Sequence, residues 1–79
     1  MRQRVFDVIS NVMGVPRDQV SEATSPDNLE QWDSVRHVNL ILAIEQEFGI
    51  SFTDVDIIGI TDTTTLLRAL AAKGLKADA

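Results

Sequence analysis

Apolar residues recur along the chain in blocks of helical spacing, separated by polar breaks that carry glycine or proline. Val5, Val8, Ile9 and Val12 fall at i, i+3, i+4 and i+7, with Phe6 and Met13 beside them. That spacing predicts a helix from about Gln3 to Met13. Gly14 then supplies a left-handed C′ position, and Pro16 prevents continuation. Periodicity is lost from Val15 to Trp32, where Pro16, Ser21, Thr24, Ser25, Pro26, Asp27 and Asn28 mark a long loop. One helical turn fits near Pro16–Val20. A stretch this long without regular structure is unusual in a compact domain and is often functional. Val15, Val20, Leu29 and Trp32 are its candidate anchors.

The period returns with His37, Leu40, Ile41, Ile44 and Phe48, which predict a second helix starting at Asp33 or Ser34 and ending near Phe48. Val38 and Leu42 widen its apolar face beyond what burial in a small bundle needs. Gly49 sits where a C′ glycine belongs. Ile50, Ser51 and Phe52 form a brief extended link. Thr53 or Asp54 can cap a short third helix, Val55 to Ile58, broken by Gly59. Thr61 or Asp62 can cap a fourth, with Leu66, Leu67, Leu70 and Ala71 as its buried stripe. Gly74 ends it, and about 75–79 reads as a frayed tail. The predicted fold is all-α. It is a small antiparallel four-helix bundle of three main helices plus one short one, with a long first loop, and residues 1–79 form a single domain.

Length and charge narrow the function. Seventy-nine residues leave little volume for a closed active-site pocket once a core is filled, which argues against a self-contained enzyme. There is no cysteine, so neither a disulfide staple nor a thiolate metal site or nucleophile exists. No stretch approaches a membrane span, and Met-Arg-Gln-Arg opens no secretory signal, so a cytoplasmic protein without stable membrane insertion is expected. Between Asp18 and Asp62 lie ten acids and one base, Arg36, a local charge of −9; the remaining positions carry six bases and two acids, +4. Such a field repels nucleic acid and anionic lipid and favours partners with basic patches. It also predicts that stability rises with added salt.

Asp33-Ser34 stands where the polar loop meets an amphipathic helix. Capping is the plainest reading, by either residue. The same geometry serves chemistry, because a serine hydroxyl at a helix N-terminus is exposed and close to free backbone N–H groups that suit a phosphate ester. A triad reading with Asp33, Ser34 and His37 fails, since one exposed helical turn cannot supply both an orienting carboxylate and an oxyanion hole. His37 fits better as a half-buried residue on the inner edge of the helix, and Trp32 as a loop anchor. Asp54 to Asp62 resembles a calcium loop but lacks two ligands, so loop and cap roles are expected there.

The block Gln31-Trp32-Asp33-Ser34-Val35, followed by Val38-Asn39-Leu40-Ile41-Leu42-Ala43-Ile44-Glu45-Gln46-Glu47-Phe48-Gly49-Ile50, resembles the acyl carrier protein family. The likeness covers nearly the whole chain, element by element. It implies that Ser34, flanked by Asp33 and Val35, receives 4′-phosphopantetheine from coenzyme A. A phosphopantetheinyl transferase with magnesium would catalyse the transfer. Acyl groups would then ride as thioesters on the arm's thiol and meet acyl-loading and acyl-processing enzymes. On that reading the chain is a monomeric carrier with no catalysis of its own, in fatty-acid, polyketide or related specialised biosynthesis. The alternatives are an aminoacyl or peptidyl carrier, and a small helical adaptor with no prosthetic group.

Two departures from the family pattern matter. Val35 stands in place of the usual leucine. The outer face of the second helix offers Arg36, Asn39, Leu42, Glu45 and Gln46, with one acid among them, so a specialised pathway is favoured over docking to fatty-acid enzymes. Arg36, Asn39, Leu42, Glu45 and Asp56 are the expected partner-binding residues, with Val35 beside them. Acyl chains are expected to enter between the second and third helices, near Val38, Leu42 and Ile58.

Overall fold

The computed structural model of the chain describes residues 2–75. Its elements are α1 (Arg2–Met13), a 3₁₀ turn (Arg17–Gln19), α2 (Ser34–Phe48), α3 (Asp54–Gly59) and α4 (Thr63–Ala72). No strand occurs among the described residues. No helix among them is long and apolar enough to cross a membrane. The predicted tail lies outside the described residues apart from Leu75, which packs half-buried against the core.

Helix ends follow from local chemistry. Gly14 at φ 70° and Gly49 at φ 64° take the left-handed conformation that a side chain would resist. Thr53 caps α3 in a reciprocal box with Asp56: Thr53 Oγ1 accepts from the Asp56 N–H at 3.1 Å, and Asp56 Oδ2 accepts from the Thr53 N–H at 2.9 Å. Asp62 caps α4 the same way with Thr65.

α1 contributes Val5, Phe6, Ile9 and Met13 to the core, α2 Leu40, Ile41 and Ile44, and α4 Leu66, Leu67 and Leu70. The stripe in α1 is turned from the predicted one. Phe6 and Met13 point inward, while Val8 and Val12 sit half-buried on the seam with Ala43 and Gln46 of α2. The larger side chains take the deeper positions, where they remove more apolar surface from water. In α4 the stripe extends one turn earlier than predicted. Ala71 is exposed, and Thr63 is fully buried at the position three residues before Leu66. Thr63 is tolerated there because its hydroxyl donates to the Thr24 carbonyl at 2.7 Å and its N–H donates to the same oxygen at 3.2 Å. The pair ties the long loop to α4.

That loop is a folded element. Val15, Val20, Leu29 and Trp32 are all buried, as predicted. Its backbone is held by Ser10 Oγ donating to the Val15 carbonyl at 2.6 Å and Asn28 Nδ2 donating to the Ala23 carbonyl at 2.7 Å. The Arg17 guanidinium lies 4.8 Å from the Phe6 ring centre and bonds Asp7 at 3.0 Å.

The cationic ends fold over the acidic middle. Arg2 pairs with Glu22, Arg4 with Glu47 at 2.8 Å, and Lys73 with Asp56 at 2.9 Å. Asp18, Asp27, Glu30 and Asp54 have no ion pair among the described residues, so a negative surplus persists. Raising salt from about 0.01 M to about 0.15 M shortens the screening length from ~30 Å to ~8 Å. The melting temperature is expected to rise over that interval. A fall would mean that the three end-to-middle pairs outweigh the repulsion.

Acid has the opposite effect. The Asp56 carboxyl is held below its ordinary value first by the Thr53 backbone N–H and then by Lys73; that of Asp62 is held down by the Thr65 backbone N–H and then its hydroxyl. A lowered folded-state value stabilises above the unfolded value, about 4, and that contribution is lost as pH falls through the folded value. Thermal melts are expected to be insensitive to these groups near neutrality and to drop below about pH 4. Asp62→Ala removes the cap, costs about 0.5–2 kcal/mol at pH 7 and shrinks the acid-induced loss.

Candidate functional site

The start of α2 assigns different tasks to its two polar residues. Asp33 is the cap: with extended backbone, its Oδ1 accepts from the Arg36 N–H at 2.8 Å. Its Oδ2 meets Arg36 Nη1 at 3.3 Å. Ser34 is the first helical residue and is exposed, and its hydroxyl makes no hydrogen bond among the described residues. The Ser34 and Val35 N–H groups are also without a partner there, as the opening N–H groups of a helix are unless something is brought to them. A free hydroxyl and two free donors therefore share one turn at the positive end of the helix dipole.

Beside this turn lies an open pocket of about 490 Å³ lined by Pro26, Trp32, Asp33, Ser34, His37, Ile60 and Thr61. It is not lined by Val38, Leu42 or Ile58, where acyl entry was expected. Those three side chains stand in solvent on the outer faces of α2 and α3, with Val38 58%, Leu42 54% and Ile58 78% exposed. Trp32 is buried, and its Nε1–H donates to His37 Nδ1 at 3.0 Å with the rings stacked 6.1 Å apart. His37 is half-buried, as expected. Neither Asp33 nor Ser34 bonds to it, so no Asp-His-Ser relay exists.

The expected partner residues separate into two groups. Arg36, Asn39 and Leu42 are exposed on α2, in line with Val35 and Val38. Glu45 instead turns toward the link after α2, where its carboxylate accepts from the Phe52 N–H at 2.7 Å. Asp56 is engaged with Thr53 and Lys73. The sequence reading missed Val55 and Ile58 as exposed apolar residues of α3, although six helical residues leave little room for a buried face. It also missed the bond between Trp32 and His37, for which a donor and an acceptor five positions apart were the available signal.

A profile describing a phosphopantetheine attachment site matches residues 3–72. The chain belongs to the acyl carrier protein family. It is 39% identical over 57 residues to an acyl carrier protein of Chlorobium luteolum, a match covering 71% of this chain and 72% of that one. Acyl carrier proteins of Chlorobium phaeobacteroides and Chlorobium phaeovibrioides are each 37% identical over the same shares. Membership brings a covalent 4′-phosphopantetheine group and a carrier role. The residues at the start of α2 fit such a group: an unpartnered exposed hydroxyl for the ester, free N–H groups for the phosphate oxygens, and a pocket with apolar walls from Pro26, Trp32 and Ile60 alongside.

Proposed function

We propose that Ser34 is the attachment residue and that the chain carries acyl intermediates without catalysing their chemistry. The observation that supports this most strongly is the exposed Ser34 hydroxyl, released from capping by Asp33. In the loading step the Ser34 oxygen attacks the pyrophosphate of coenzyme A. A phosphorus–oxygen bond forms to Ser34, the bond to the adenosine bisphosphate half breaks, and the hydroxyl proton passes to a base on the transferase. Magnesium held by the transferase would supply charge neutralisation for the departing phosphate. The bound arm supplies a terminal thiol on which acyl groups are held as thioesters. This chain's part is to present Ser34 rigidly, through the Asp33 cap and the packed Trp32, while the α2 face is read by partners.

That face sets the partner class. Val35, Val38 and Leu42 form an apolar line on α2 with Arg36 and Asn39 beside it, while Glu45 and Glu47 are bonded within the chain. An apolar enzyme patch fits this surface better than the basic patches suited to a row of acids. The reading therefore favours specialised acyl or polyketide-type biosynthesis over bulk fatty-acid synthesis. Incubating the purified chain with coenzyme A, magnesium and a broad-specificity phosphopantetheinyl transferase is expected to add one phosphopantetheine mass. No gain with several transferases would favour an adaptor that binds partners through the same apolar line.

A further inference from the structure

We propose that His37 is the positioning residue for the phosphodiester on Ser34. Its Nε2–H holds a phosphate oxygen, and Trp32 keeps the proton on that nitrogen. The inference rests on Ser34 being the attachment residue and concerns how the chain then fixes the base of the arm.

His37 follows Ser34 by three positions, and residues so spaced are neighbours on a helix surface with Cβ atoms about 5–6 Å apart. Both line the same pocket. The Trp32 indole can only donate, and it donates to His37 Nδ1 at 3.0 Å. A neutral imidazole has one bare nitrogen and one N–H, so Nδ1 is the bare one and Nε2 carries the hydrogen. Turning the ring or moving the proton would strand the N–H of a tryptophan that is only 4% exposed, and a buried donor left without a partner is costly. The buried indole thus selects the tautomer. Nε2–H has no partner among the described residues, and the ring borders the space next to the Ser34 hydroxyl.

Other charged groups around this ring are already engaged. Asp33 is the other ionisable residue lining the pocket, and its two oxygens meet the Arg36 N–H and guanidinium. Arg36 is thereby turned to Asp33. On the segment that brings Ile60 and Thr61 to the pocket, the adjoining Asp62 is bonded to Thr65. On the loop, Asp27 adjoins Pro26 and is exposed. Among the described residues, two side-chain donors lining the pocket are therefore left for a phosphodiester formed there, the His37 Nε2–H and the Thr61 hydroxyl, and of these His37 is the one a single helical turn from Ser34. With no bond to Ser34, it does not serve as the base for attachment.

The test is NMR of the loaded protein near neutral pH, its loading confirmed by intact mass: ¹⁵N spectra of the ring of His37, the sole histidine, and the ³¹P resonance of the phosphodiester. The ring is expected to show a bare Nδ1 and a protonated Nε2. In His37→Ala loading is expected to persist and the phosphorus resonance to be displaced, and in His37→Gln, which keeps an amide donor, to return toward its original position. A ring protonated on Nδ1 instead of Nε2 overturns the proposal, as does a phosphorus resonance unchanged in His37→Ala. In either case a full loading mass leaves Ser34 attachment standing. A protein that takes up no mass overturns both.

Discussion

Ser34→Ala is expected to abolish the mass gain completely while leaving the fold intact. The two halves of that outcome have separate physical grounds. Loading requires the hydroxyl oxygen as the atom that bonds to phosphorus, and alanine has none. The fold does not require it, because the Ser34 side chain is exposed and makes no hydrogen bond among the described residues, and Asp33 accepts from the Arg36 N–H. The change in stability is expected to stay within about 0.5 kcal/mol, the range of surface substitutions away from such features. Asp33→Ala should behave oppositely. Its lost cap costs about 0.5–2 kcal/mol, yet the Ser34 hydroxyl survives and some loading persists. Thermal melts and intact mass on the two variants separate anchoring from attachment. A Ser34→Ala protein that still gains the mass would move the site elsewhere.

Ile44→Ala is expected to have the largest effect on stability. Ile44 is completely buried where α2 meets the core shared with α1 and α4. Removing its branched side chain loses the transfer energy and leaves a cavity, together about 2–5 kcal/mol. For a small domain whose total stability is of order 5–15 kcal/mol, that is a large fraction, and the melting temperature should fall by ~10 °C or more. Leu42→Ala, two positions earlier on the same helix, removes a side chain that is 54% exposed and should cost far less. Its expected cost falls on docking, as weaker transfer to or from partner enzymes at unchanged melting temperature. Equal melting shifts for Ile44→Ala and Leu42→Ala would contradict the assignment of one face to the core and the other to partners.

The elements themselves were legible because each carries its own signal. Apolar spacing marked α1, α2 and α4, the glycines at positions 14, 49 and 74 marked their ends, and Val15, Val20, Leu29 and Trp32 stood out as apolar residues in a polar loop. Ser34 was legible for a related reason: a serine and an aspartate where a loop becomes a helix admit few geometries. What escaped the sequence depends on residues far apart in the chain or on polar atoms inside. Thr63 reads as polar, and only its bond to the Thr24 carbonyl makes burial acceptable. Glu45 reads as an outward acid until the link after α2 brings the Phe52 N–H to it. The division of labour between Asp33 and Ser34 was open, since either side chain suits the cap. Phe6 and Val8 lie two positions apart, on different sides of α1, and a hydrophobic count cannot tell which side the neighbouring helices cover more deeply.

Fragmentation mass spectrometry of the loaded chain tests the central claim most directly, because it reads which oxygen bears the arm. The chain has five serines, Ser10, Ser21, Ser25, Ser34 and Ser51. The whole added mass is expected on Ser34. Finding it on Ser25, Ser51 or any other hydroxyl would contradict the account of how α2 begins and what that beginning is for.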